Sequence, residues 1–168
     1  MAHHDDLLAL ARQMVDRNRS SPVEAELRRA VSTAYYALFH LLIDAATDRL
    51  VGVAALRPRV ARTFDHAVMR KVCLEYADAT DTGAGQYQTK TGIVIPAALF
   101  TIASTFVTLQ EARLQADYNL GVTVTHAQAA TSVGQVERAF ADWLLVEADP
   151  ATDEFLSELW CRGIPKRP

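Results

Sequence analysis

Arg28-Arg29-Ala30-Val31-Ser32-Thr33-Ala34-Tyr35-Tyr36-Ala37-Leu38-Phe39-His40 is the stretch on which the fold turns. Leu27, Val31, Ala34, Leu38, Leu41, Leu42 and Ala45 recur at spacings of three and four, the period of one helical face. Tyr35, Tyr36, Phe39 and Ile43 widen that face, so the helix is expected to be wrapped on most sides and to sit at the centre of the protein. Ser21, Pro22 and Glu24 read as an N-cap, a first-turn proline and the far end of a capping box. The helix can run to about Leu50, where Val51-Gly52-Val53 interrupts it.

Five further helices follow from the same signals on either side. Leu7, Leu8, Leu10, Ala11, Met14 and Val15 form a stripe over residues 5–18, with Asp5 and Asp6 at the helix start. Pro58 opens a third helix near Arg59, with Val60, Phe64, Ala67, Val68 and Val72 inward. Pro96 opens a fourth, carrying Leu99, Ile102, Phe106, Leu109 and Arg113 to an end near Tyr118. Thr125 and Gln128 form a capping box for a fifth. Its stripe is Ala129, Val133, Val136, Phe140, Trp143 and Leu144. Asp149-Pro150 starts a short sixth helix with Phe155, Leu156, Leu159 and Trp160, which Gly163 stops. Residues 77–92, containing Ala-Thr-Asp-Thr-Gly-Ala-Gly, lack a period and read as a long loop. No stretch reads convincingly as a strand. The expectation is one all-α domain over residues 1–168, an antiparallel four- to five-helix bundle with short terminal helices. Its core spans about 5–148, with a short helix and tail over 149–168.

Composition narrows the function. Half of the 168 residues are hydrophobic and 22% are charged, enough to bury a core. A net charge of −3 excludes a protein that coats nucleic acid by charge alone. Cys73 and Cys161 are too few for a disulfide scaffold, and Cys73 reads as a buried, inert thiol. The start Met1-Ala2-His3-His4-Asp5-Asp6 lacks the basic residues and apolar run of a secretory signal. His3 and His4 carry no part of the reading. Thr91–Gln110 is uncharged, but Gly92, Pro96, Thr101, Ser104, Thr105 and Thr108 make it a buried helix rather than a membrane span. A cytoplasmic protein with no membrane association is expected.

Few side chains suggest chemistry. Phosphate-binding glycine loops, a nucleophile elbow, zinc-type His-Glu-x-x-His and di-iron Glu-x-x-His patterns are all absent, so no metal and no cofactor are expected. Tyr36 and His40 are four apart and neighbours on one helical face, fit for ligand contact or for ordinary core packing. Arg113 lies on an inward stripe, where a guanidinium needs a partner; Asp117, four residues on, can supply it. Arg57, Arg59, Arg62, Arg70 and Lys71 form one basic region, and Arg12, Arg17, Arg19, Arg28 and Arg29 another. Arg59 and His66 would stand two turns apart on one helix.

The string Ala34-Tyr35-Tyr36-Ala37-Leu38-Phe39-His40, preceded by Arg28-Arg29, resembles the central helix of HEPN domains. Arg113, Ala116, Asp117 and Tyr118 resemble the later Arg-x-x-Ala-x-Tyr element of that family. The resemblance implies a helical bundle that often pairs as a homodimer. Many members are metal-independent ribonucleases of toxin–antitoxin, abortive-infection or CRISPR-linked systems; others accompany a nucleotidyltransferase or are non-catalytic. The ribonucleases use an arginine followed after four to six residues by a histidine, two copies meeting across the dimer. Here Arg113 is followed after four residues by Tyr118. A phenol with a reference pKa of about 10, against about 6.5 for imidazole, is a poor proton shuttle at neutral pH. The resemblance therefore implies RNA or nucleotide association with weak or no catalysis. Arg113 and Asp117, with Tyr118, Tyr36 and His40, are the candidate ligand or phosphate site. The alternative is a non-catalytic module that dimerises or docks on a nucleotidyltransferase or antitoxin. A lesser alternative is a ribonuclease using Arg59 and His66.

Overall fold

A computed structural model of the chain describes residues 2–162; Gly163, the expected helix stop, lies outside them. The chain is mostly helical. Helix α1 spans His3–Arg17 and α2 Glu24–Leu50; a 3-10 turn at Ala54–Leu56 leads into α3, Arg57–Ala61, and α4 spans His66–Ala77. Strands β1 (Thr80–Gly83), β2 (Gln86–Gln88) and β3 (Val94–Pro96) precede α5 (Ala97–Tyr118), α6 (His126–Val146) and α7 (Pro150–Cys161).

Two compact units are present, one formed by residues up to His40 with Thr105–Ala141, the other by Leu41–Ser104 with Asp142 onward. In the first, Leu8, Ala11 and Val15 of α1 are buried, as are Leu27, Val31, Ala34, Tyr35 and Leu38 of α2. Phe106 and Leu109 of α5, with Ala129, Val133 and Val136 of α6, complete this core. The pairings run antiparallel. His4, Arg12 and Val15 of α1 meet Phe140, Glu137 and His126 of α6 respectively. Ser32 and Tyr36 of α2 meet Asp117 and Arg113 of α5.

The start of α2 differs from the expected cap. Glu26 and Leu27 donate their backbone N–H groups to the Val23 carbonyl, so Val23 rather than Ser21 precedes the first turn. Asn18, 2% exposed, organises the connection. Its Oδ1 accepts from Val23 N at 2.6 Å, and its Nδ2 donates to Met14 O at 2.8 Å and Glu26 Oε2 at 2.6 Å. The capping box of α6 forms as expected: Thr125 N donates to Gln128 Oε1 at 2.8 Å, and Gln128 N to Thr125 Oγ1 at 3.3 Å.

In the second unit, Met69, Val72, Cys73 and Tyr76 of α4 are buried, together with Phe155, Leu156 and Leu159 of α7. The Tyr76 and Phe155 rings lie 4.8 Å apart. Asp149 caps α7 by accepting from Ala151 N at 2.8 Å. Burial pushes the Cys73 thiol well above its ordinary range, which keeps it protonated and unreactive.

Three expectations are corrected here. The single third helix is two. Residues 62–65 break it, and Asp65 caps the second piece through Ala67 N and Val68 N at 2.8 and 3.1 Å. Arg59 therefore lies on α3 and His66 on α4, not two turns apart on one helix face. Residues 77–92 are not a long loop. They hold β1 and β2, antiparallel to each other, and β2 pairs antiparallel with β3. The hairpin turns at Gly83-Ala84-Gly85, all at positive φ, where the two glycines avoid a Cβ clash. Leu144 is not inward but 69% exposed.

Candidate functional site

The candidate site lies in the first unit, where two ladders of side chains face one another. Arg28, Ser32 and Tyr36 are spaced by four on α2, as Arg113 and Asp117 are on α5, so each set shares a helical face. The Arg113 guanidinium donates from Nε to Asp117 Oδ2 at 3.0 Å and from Nη2 to the Tyr36 hydroxyl at 3.1 Å. Asp117 turns its other oxygen to the Ser32 hydroxyl, which donates to it. The Arg113 side chain is 13% exposed and that of Asp117 25%.

Aromatic rings surround the cation. The guanidinium carbon lies 5.7 Å from the Tyr35 ring centroid, 5.4 Å from Tyr36 and 5.9 Å from Tyr118. These are cation–π distances, and they act in a setting that shields the guanidinium from water. The charge of Arg113 is thus matched by one carboxylate, one phenol and three ring faces. A phosphate approaching it would meet Asp117 as a like charge.

Of the expected site residues, Arg113, Asp117, Tyr36 and Tyr118 come together. His40 stands beside Tyr36, with ring centroids 6.4 Å apart, and lies 5.0 Å from the His3 ring in an edge-on arrangement. Arg59 and His66 belong to the second unit and take no part in this cluster. Ser32 and Tyr35 were not among the expected site residues, although both fall on the α2 face that carries Tyr36.

Arg28 has a separate task at the end of α5. Its Nη1 donates to the carbonyls of Ala116 at 2.8 Å and Asn119 at 3.2 Å, and its Nη2 to that of Val122. Carbonyls at a helix C-terminus have no partner within the helix, and a cation there also suits the helix dipole. Glu24 completes the arrangement, its Oε1 accepting from Arg28 Nη2 at 2.8 Å and from Val124 N at 3.3 Å. The Arg28 hydrogen bond, then that of the Val124 N–H, holds the Glu24 carboxyl below its usual range. Arg28 is therefore committed to the fold rather than offered to a phosphate.

Beyond Arg113, three apolar side chains are exposed at and just past the end of α5. Leu114 is 43% exposed, Tyr118 70% and Leu120 89%. Among the described residues no group of three or more His, Cys, Asp or Glu side chains is arranged to hold a metal ion. None of the described helices is long and apolar enough to cross a membrane. No family model, curated protein or solved structure matches the chain.

Proposed function

We propose that the chain is a HEPN-like, non-catalytic docking module of an RNA- or nucleotide-associated system, of the toxin–antitoxin or defence type. It works by pairing, with a second copy of itself or with a nucleotidyltransferase or antitoxin, rather than by cutting RNA. The observation that carries this reading is the state of Arg113. Its guanidinium is bonded to Asp117 and Tyr36, and the residue five positions on is Tyr118, not a histidine. A ribonuclease arginine has to reach the scissile phosphate, and this one is occupied inside the fold. Exposed Leu114, Tyr118 and Leu120 beside it supply apolar surface of the kind that interfaces bury.

Sedimentation at rising concentration tests the pairing. Wild type is expected to approach the mass of two chains, and Tyr118→Asp/Leu120→Asp to stay at one chain with an unchanged circular dichroism spectrum. A wild type that remains a single chain and binds neither class of partner protein overturns the docking reading.

A second reading rests on Tyr118. Its largely exposed ring lies beside the Arg113 guanidinium, an arrangement on which an unpaired base can stack without sequence preference. Cytoplasmic RNA or a nucleotide is then the ligand. Tyr118→Ala lowering the affinity for a labelled oligonucleotide, with pairing intact, is the result that selects this reading.

A further inference from the structure

The first unit holds a cavity of about 440 Å³ that none of the chemistry above uses. Val31 of α2, Ala112 and Gln115 of α5, and Gln128, Thr131 and Gln135 of α6 line it. Its volume falls within the roughly 300–1,000 Å³ typical of small-ligand sites. No lining residue is charged, so nothing there offsets the desolvation of a phosphate or a carboxylate.

Two of the lining carboxamides have their orientation set by neighbours. Gln128 Oε1 accepts from the Thr125 backbone N–H at 2.8 Å and from the Thr125 hydroxyl at 3.0 Å. A backbone N–H only donates, so the oxygen must face it and the Nε2 amide must face elsewhere. Gln115 Oε1 likewise accepts from Asn119 Nδ2 at 2.7 Å. Neither Nε2 has a hydrogen-bond partner among the described residues. The cavity thus combines an uncharged, largely apolar wall with two carboxamides whose oxygens are engaged and whose Nε2 groups are left as donors.

We propose that this cavity is a binding site for a neutral, planar heterocycle carrying two ring carbonyl acceptors, the chemistry of a uracil-type base. The flat body lies against Val31 and Ala112. The two carbonyl oxygens accept from Gln115 and Gln128, and the Thr131 hydroxyl is available to the ring N–H. This site does not depend on the docking reading, because the cavity and the Arg113 network use different side chains.

Uridine titrated into the full-length, nitrogen-15-labelled protein tests the proposal, with inorganic phosphate as the control. Uridine is expected to give saturable shifts at the amides of Ala112, Gln115, Gln128 and Thr131, and phosphate to leave them in place. Gln115→Glu/Gln128→Glu keeps both accepting oxygens, and with them the Thr125 and Asn119 contacts, but removes the donors. It should weaken uridine at least about tenfold, as expected where a site's hydrogen-bond complement is lost. Thr131→Trp, at an exposed position, should fill the cavity and abolish the shifts. A short oligouridylate that competes with uridine identifies a base presented by a strand; one that does not compete identifies a free nucleoside. Tyr118→Asp/Leu120→Asp should bind uridine as wild type does, which separates this site from the docking surface. Shifts that do not saturate, that persist in both cavity variants, or that phosphate reproduces overturn the proposal.

Discussion

Phe106→Ala should destabilise the protein by about 3–5 kcal/mol, the usual range when a fully buried phenylalanine is cut to alanine. The Phe106 ring has no exposed surface, and its centroid lies 5.5 Å from that of Tyr35. Tyr35, equally buried, lies 5.5 Å from Tyr36 and 6.0 Å from Phe39. Removing Phe106 takes away the α5 side of this aromatic cluster, and the cavity left behind is walled by helices that cannot close over it without moving Tyr35. In a chain of this length each kcal/mol is about 2–4 °C in melting temperature, so a fall on the order of 10 °C is expected. Phe106→Leu, which keeps most of the volume, should lose much less. Thermal and urea unfolding measure both, and a loss below about 1 kcal/mol for Phe106→Ala would show that the cluster is not a packed core.

Asp117→Ala is the second large effect, and its cause is electrostatic. The substitution leaves the Arg113 guanidinium with the Tyr36 hydroxyl as its side-chain acceptor and takes one of two acceptors from Ser32, which keeps the Arg28 carbonyl at 3.3 Å. Breaking a fully buried ion pair costs about 3–5 kcal/mol. Asp117 retains a quarter of its side-chain exposure, so water screens part of that, and about 2 kcal/mol is expected. Arg113→Met should cost less, since its side chain still packs against the tyrosine rings and Asp117 keeps the Ser32 hydroxyl. The double variant should be more stable than the sum of the two losses predicts, by about 1 kcal/mol or more, if the residues act as a pair. Additive losses would mean that the contact stabilises nothing beyond its separate parts.

How far the sequence carried this structure depended on the kind of signal. Long helices were legible because their apolar residues recur over several turns. The end of α5 near Tyr118, the Thr125–Gln128 box at the start of α6 and the Asp149 cap all lie where the residue types point. Short elements were not. β1 and β2 are four and three residues long and almost wholly exposed, so no alternation of apolar and polar side chains marks them. What orders them is their pairing with each other and of β2 with β3, and the stacking of Tyr87 on Phe100, with centroids 4.1 Å apart; none of these has a local signature. The break at 62–65 was hidden because the stripe from Val60 to Val72 keeps its spacing across it. Only Asp65 marks the restart, and an aspartate in a helical run reads equally well as a surface charge.

The site divides along the same line. Arg113 with Asp117 was readable, since an i, i+4 pair needs only one helix. The bond to Tyr36 and the Ser32 hydroxyl on Asp117 join residues far apart in the chain. The spacing of Arg28, Ser32 and Tyr36 gave them a common face but no partner. Arg28 was readable as a basic residue and not as the cap of another helix, because its acceptors are backbone carbonyls, which every residue carries.

The central claim is that Arg113 is held inside the fold and does not serve RNA cleavage. Its most direct test is incubation of the purified protein with total RNA and a labelled oligonucleotide in the presence of EDTA, beside Arg113→Ala and His66→Ala. Intact RNA in all three reactions is the predicted result. Cleavage by wild type that disappears in Arg113→Ala would contradict it, and would mean that Asp117 and Tyr36 release the guanidinium when RNA binds.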